Sequence, residues 1–241
     1  MVRRNEIIFI IRNLFLIIPL IVIPIPFVLI HRILEIKKRQ YKGIETTKYR
    51  EVGAIALMYS LIVIGALTLG TSIFFFDLRF ITQHIHESIK NINLIPFKGM
   101  TEFGVHGFVN IFGNIFIFMP FGFLVALFSQ KEKKTKDTIL AGTGISLIIE
   151  IIQIFVMRSM DINDIILNTL GTFLGLKLFI ILEKQFSNFF NKFAIDNTVL
   201  ELTLTERIKI YVITILQVVV WIIMSVNLEQ MSINFYRIFK I

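Results

Sequence analysis

Six apolar stretches, at about 13–30, 53–76, 108–128, 138–157, 163–182 and 208–226, approach or exceed the roughly 18 to 20 residues with which a helix crosses about 30 Å of hydrocarbon. No segment of about ten residues alternates polar and apolar side chains as a membrane strand does. The chain therefore reads as all-α, a polytopic transmembrane helical bundle of about six membrane segments. Composition agrees: 55% of residues are hydrophobic, 25 are Phe and 17% are charged, beyond what a soluble domain of this length carries. The first stretch follows Arg3 and Arg4 in the manner of a signal peptide, but it is too long and lacks a small-residue cleavage site. It is expected to be retained, and Pro19, Pro24 and Pro26 allow it to be a re-entrant hairpin.

The net charge of +8 raises the question of a nucleic-acid partner. Its distribution argues against one, because the charge sits between the apolar stretches. Segment 31–52 holds Arg32, Lys37, Lys38, Arg39, Lys42, Lys48 and Arg50; segment 129–137 holds Lys131, Lys133, Lys134 and Lys136; segment 183–207 holds Lys184, Lys192 and Arg207. By the positive-inside rule these three loops are cytoplasmic, with fourteen basic residues against nine on the other side. Loops 77–107 and 158–162 then face outward. The absence of cysteine removes disulfides, thiolate catalysis, Fe–S clusters, palmitoylation and prenylation.

No repeat or Pro/Gly-rich linker divides the chain. Three regions are expected: 1–52, an N-terminal membrane segment and basic cytoplasmic loop; 53–182, a four-helix membrane core; and 183–241, an amphipathic connector and C-terminal membrane helix. Leu78, Ile81, Ile85 and Ile89 recur at near-helical spacing in the outer loop, and Phe186, Phe189, Phe190 and Phe193 do so in the connector. Such stripes suit helices lying in the interface plane, or packing on a neighbour. Pro96 makes Ile95 extended, and Pro120 is expected to kink the third stretch.

Within or beside the apolar core stand Asn110, Asn114, Glu150, Gln153, Arg158, Asp161, Asp164 and Asn168. Polar groups in hydrocarbon are costly unless they pair, coordinate or line a wet cavity, so they mark a candidate site. Asn110 and Asn114 stack at i,i+4 on one face, Ser146, Glu150 and Gln153 share another, and Asp161, Asp164 and Asn168 a third. The short 158–162 turn makes two of these helices antiparallel neighbours, which puts the polar residues at a common outer depth. Glu150, Asp161 and Asp164 cannot all ionise without a cation, and Arg158 supplies one. Acid or base chemistry by Glu150, Asp161 or Asp164, Mg²⁺ held by the same carboxylates, and the binding of a polar head group would each use such a cluster. So would an interhelical hydrogen-bond network with Asp161 or Asp164 as a helix cap.

Gly171 and Gly175 form a GxxxG pair suited to close helix approach. His84 and His86, two residues apart, do not share a helix face and with His106 make a poor metal site, so no metal or resident cofactor is expected. GxSxG, HExxH, Walker A and GxGxxG signatures are absent, which excludes serine hydrolases, zincins and classical nucleotide-dependent enzymes.

The series Asn93-Leu-Ile-Pro-Phe97, Asn110-Ile-Phe-Gly-Asn114 continuing to Phe123, Ser146 with Glu150 and Gln153, and Arg158-Ser-Met-Asp-Ile-Asn-Asp164 leading to Leu167-Asn-Thr-Leu-Gly171 resembles the VanZ-like family of bacterial membrane proteins. The resemblance spans about 53–182. It implies a multi-pass protein of the bacterial cytoplasmic membrane with a role in glycopeptide resistance, teicoplanin in particular, and makes the eight polar residues the shared positions. Asn163 stands where the family often has a third acid. The resulting expectation is an outward polar pocket for a lipid-linked envelope molecule or lipoglycopeptide, with Arg158 on an anionic group, Glu150 as base or pairing partner, and the asparagines orienting the ligand. The alternatives are a membrane-embedded enzyme acting on envelope lipids and a scaffold using the Gly171/Gly175 face.

Overall fold

The computed structural model describes residues 21–22, 24–41, 43, 46–69, 85–98, 105–129, 134–156 and 158–193. Among them the long elements are all helices: α1 (Pro24–Tyr41), α2 (Lys48–Thr68), α3 (Val105–Phe128), α4 (Lys134–Phe155) and α5 (Ile162–Gln185). A short α6 (Ser187–Phe190) and a 3₁₀ turn (Asn191–Phe193) follow. Helices α2, α4, α5 and the Asn110–Phe128 part of α3 are each long and apolar enough to cross a membrane. They match the middle four of the six expected stretches. The sixth stretch, the first residues of the 13–30 stretch, Arg79 and His84, and the side chain of His106 lie outside the described residues.

Segment 31–52 was expected to be a loop, yet α1 runs through its first half and α2 begins before its end. No helix breaker intervenes between Phe27 and Lys42, and Lys38 and Arg39 fall in the last turn, where cations suit the negative end of the helix dipole. Pro24 and Pro26 are themselves helical, so a hairpin does not break the chain at either residue. Glu51 in the first turn of α2 accepts from Nε of Arg32 at 3.0 Å and also from its Nη2, tying α1 to α2. Pro120 sits inside α3 without ending it.

The four spanning helices alternate in direction, so α3 and α5 run parallel. Their contact is close because it is built from glycine. A Cβ at Gly171 would strike the Ile115 backbone, one at Gly175 the Met119 carbonyl, and one on α3 at Gly122 the Thr172 backbone. Small residues let helix backbones approach where lipid tails offer no hydrophobic drive for association. The GxxxG face is thus filled by α3 of the same chain and is not presented to another protein, which removes the basis of the scaffold alternative.

One core cluster joins Ile64 and Ala66 of α2, Phe118 and Phe121 of α3, and Ile149 of α4. A second joins Ala126, Leu176 and Phe179, with Phe123 and Phe190 packed against it. The connector stripe therefore divides. Phe190 meets the Phe123 and Phe179 rings at 6.2 and 5.3 Å between centroids, and Phe193 is buried beside Tyr49, whereas Phe186 and Phe189 are exposed. On the outside of α3, Phe108, Phe112 and Phe116 form an exposed i,i+4 ladder, as a lipid-facing surface does.

The two ends of the bundle differ in chemistry. At one end Lys134 pairs with Glu183 at 2.9 Å, Thr47 Oγ1 donates to the Lys192 carbonyl, and Arg50 donates to that of Phe193. Every loop expected to be cytoplasmic meets there. The other end gathers the polar residues.

Candidate functional site

Helix α4 ends near Phe155, and the chain turns through residues 158–160 to Asp161, the N-cap of α5. The Asp161 side chain accepts from the Asn163 backbone N–H at 2.8 Å, offsetting one of the unpaired donors that open any helix. Its own N–H donates to Oε2 of Glu150 at 2.8 Å. Glu150, only 1% exposed, thus clamps the turn from one helix below instead of pairing directly with Arg158.

Arg158 goes elsewhere. Its Nη1 donates to the Thr68 carbonyl at 2.7 Å, and Nε2 of Gln153 reaches the same oxygen at 3.2 Å. Thr68 closes α2, so a cation and an amide cap the negative end of that helix. Among the described residues Arg158 makes no direct ion pair with a carboxylate, although it supplies a positive charge within electrostatic reach of Glu150 and Asp164. The local carbonyls of a helix end compete for it successfully.

Asp164, in the first turn of α5, is the meeting point with α3. Its Oδ1 accepts from Nδ2 of Asn114 at 2.8 Å and from Nδ2 of Asn110 at 3.3 Å. The i,i+4 spacing of the asparagines puts both amides on one carboxylate oxygen. Asp161, Asp164 and Arg158 all lie within electrostatic reach of Glu150, so the cluster is shared. Asn168 sits a turn deeper, 1% exposed, with Nδ2 donating to Oγ of Ser146 at 2.9 Å. Its Oδ1 has no partner among the described residues. Thr143 and Thr169 make a similar α4–α5 bond at 3.1 Å.

Two contributors escaped the sequence reading. Asn163 clamps the 93–98 segment, its Oδ1 accepting from the Phe97 N–H at 2.6 Å and its Nδ2 donating to the Lys98 carbonyl at 3.0 Å. That bond supports Phe97 at φ 66°, a left-handed conformation unusual for a bulky residue. Asn93 pairs with Asp161 in an isolated parallel bridge, exchanging backbone bonds of 2.9 Å with Met160 and Ile162, and its Nδ2 donates to Oδ1 of Asp161 at 3.0 Å. The signal was present in Asn93-Leu-Ile-Pro-Phe97, but nothing local says that a loop will dock seventy residues away in the chain.

The rim therefore comprises Asn110, Asn114, Asp164, Arg158 and the 93–98 loop, over a buried layer of Glu150 and Gln153. No group of three His, Asp or Glu residues is arranged to hold a metal ion among the described residues.

Protein VanZ of Enterococcus faecium is 38% identical over 91 residues, which are 37% of this chain and 53% of that protein. The match thus spans about half the length of that relative. No solved structure matches. A family model described as VanZ/LLP1 matches residues 56–183, from the third turn of α2 to the last turn of α5 and so the helical frame of the polar cluster, and the chain belongs to this family.

Proposed function

We propose that this VanZ-family membrane protein contributes to resistance against teicoplanin-type glycopeptides through its polar rim, which faces outward and binds a lipid-linked envelope molecule or the lipoglycopeptide itself. Its family ties it to teicoplanin resistance only at the level of the relatives. The observation that carries the reading is the Asn110/Asn114–Asp164 junction, at the end of the bundle opposite Lys134, Lys184 and Lys192. A carboxylate and two amides held between two glycine-packed helices present fixed donors and acceptors to a sugar or peptide amide. Arg158, exposed and anchored on Thr68, keeps further N–H donors for a phosphate. Glu150, being buried and bonded to backbone, serves the shape of the site, so binding is favoured over acid–base turnover.

The test is the teicoplanin susceptibility of a susceptible Gram-positive host expressing the chain. Wild type should raise the inhibitory concentration, and Asp164→Asn and Asn114→Ala should return it to baseline at equal membrane protein level. Full protection by both variants would sink the reading. A change in envelope lipid masses that needs Asp164 would replace binding with catalysis.

A further inference from the structure

At the basic end, remote from the polar rim, α1, α2 and the end of α3 line an open cavity of about 190 Å³. Its lining includes three arginines, Arg32, Arg39 and Arg50, with Leu57, Met58 and Phe128 as apolar wall, and no acidic residue. Glu51, the nearest carboxylate on α2, is taken by Arg32 and by Oγ1 of Thr46 at 2.5 Å. Arg50 is aimed by its bond to the Phe193 carbonyl at 3.2 Å and by the Phe128 ring, 5.2 Å from its Cζ. Each guanidinium has five N–H donors, and these anchors use few of them. Arg39 and Arg32 both act electrostatically on Arg50, and the single carboxylate of Glu51 balances one of the three positive charges. The excess positive charge that is left favours an anion in the cleft.

We propose that this cavity binds the phosphate group of an anionic membrane phospholipid. Guanidinium groups match phosphate oxygens in paired geometry. A water occupies about 30 Å³, so the cavity has room for a phosphoester and its nearest atoms but not for acyl chains. Those chains have a path along exposed apolar side chains of α1 that share the face of Arg32, Leu29 three residues and Ile25 seven residues before it. A lipid source fits this wall better than a soluble phosphate does, and basic pockets between membrane helices on the cytoplasmic side recognise anionic head groups in this way. The site lies at the opposite end from the glycopeptide rim and stands whether or not that rim binds a ligand.

Native mass spectrometry of the detergent-purified full chain, titrated with phosphatidylglycerol and with phosphatidylcholine of matched chains, tests the proposal. Wild type should prefer phosphatidylglycerol, and Arg39→Gln should weaken that preference about fivefold, as expected for loss of one basic contact. Arg39→Lys should restore part of it. Arg39 makes no hydrogen bond or ion pair among the described residues, so its loss should spare the fold; Arg50→Gln, checked for retained helicity, supplies a second variant. Equal binding of the two lipids by wild type, or an unchanged preference in both glutamine variants, overturns the proposal. So does complete displacement of phosphatidylglycerol by millimolar inorganic phosphate, which would point to a soluble anion.

Discussion

Replacing Gly175 with alanine should destabilise the bundle, although alanine is the better helix former. The new Cβ would land on the Met119 carbonyl and lie 2.8 Å from the Phe123 nitrogen, both backbone atoms that no rotamer change can move. Helix α5 must retreat from α3, which also opens the Gly171–Ile115 and Gly122–Thr172 contacts. Overpacking of this kind costs about 1–3 kcal/mol. Helix propensity opposes it by up to about 1 kcal/mol. Gly144→Ala is the matched control, since Gly144 also lies inside a helix and its Cβ would meet nothing within 4 Å. Propensity then cancels between the two variants, leaving a stability difference of about 1–3 kcal/mol in favour of Gly144→Ala. Unfolding in mixed micelles against SDS mole fraction, followed by circular dichroism, measures it. If Gly175→Ala proves as stable as Gly144→Ala, the close α3–α5 approach is wrong, and with it the register that brings Asn114 to Asp164.

A double-mutant cycle of Asn114→Ala and Asp164→Ala should give a coupling of about 0.6 to 1.7 kcal/mol, the range for hydrogen bonds between membrane helices; zero coupling would mean that the 2.8 Å bond does not form. Glu51→Ala leaves the Arg32 charge buried without its partner and should cost about 3–5 kcal/mol, whereas Arg32→Met with Glu51→Leu should be close to neutral, both read from the same unfolding curves. Because the chain has no cysteine, Ser159→Cys and Lys136→Cys report orientation without background. An impermeant maleimide on intact cells should label the former and spare the latter, and the reverse pattern would place the polar rim inside.

The apolar run lengths were enough to define the four spanning helices, because hydrocarbon leaves a backbone only helix or closed barrel, and these runs lack the alternation of barrel strands. Helical periodicity likewise put Asn110 over Asn114 and Glu150 over Gln153, since i,i+3 and i,i+4 neighbours share a face wherever the helix stands. The family pattern from Asn93 to Gly171 was also legible as a string of residues. What it left open was partnership. Charge counting set Arg158 among the carboxylates, whose field it does share, but its hydrogen bond goes to the Thr68 carbonyl, because the end of α2 arrives beside it with unpaired acceptors. Asn163 looked like a missing acid and proved to be the clamp on Phe97 and Lys98. The helicity of α1 across the basic segment was legible in its lack of a helix breaker, but the three-arginine cavity that it forms with α2 was hidden for the same reason. Local pattern encodes helix and face. Which faces meet, and which donor finds which acceptor, depends on glycine contacts and helix ends that are far apart in the chain and become neighbours only when the bundle closes.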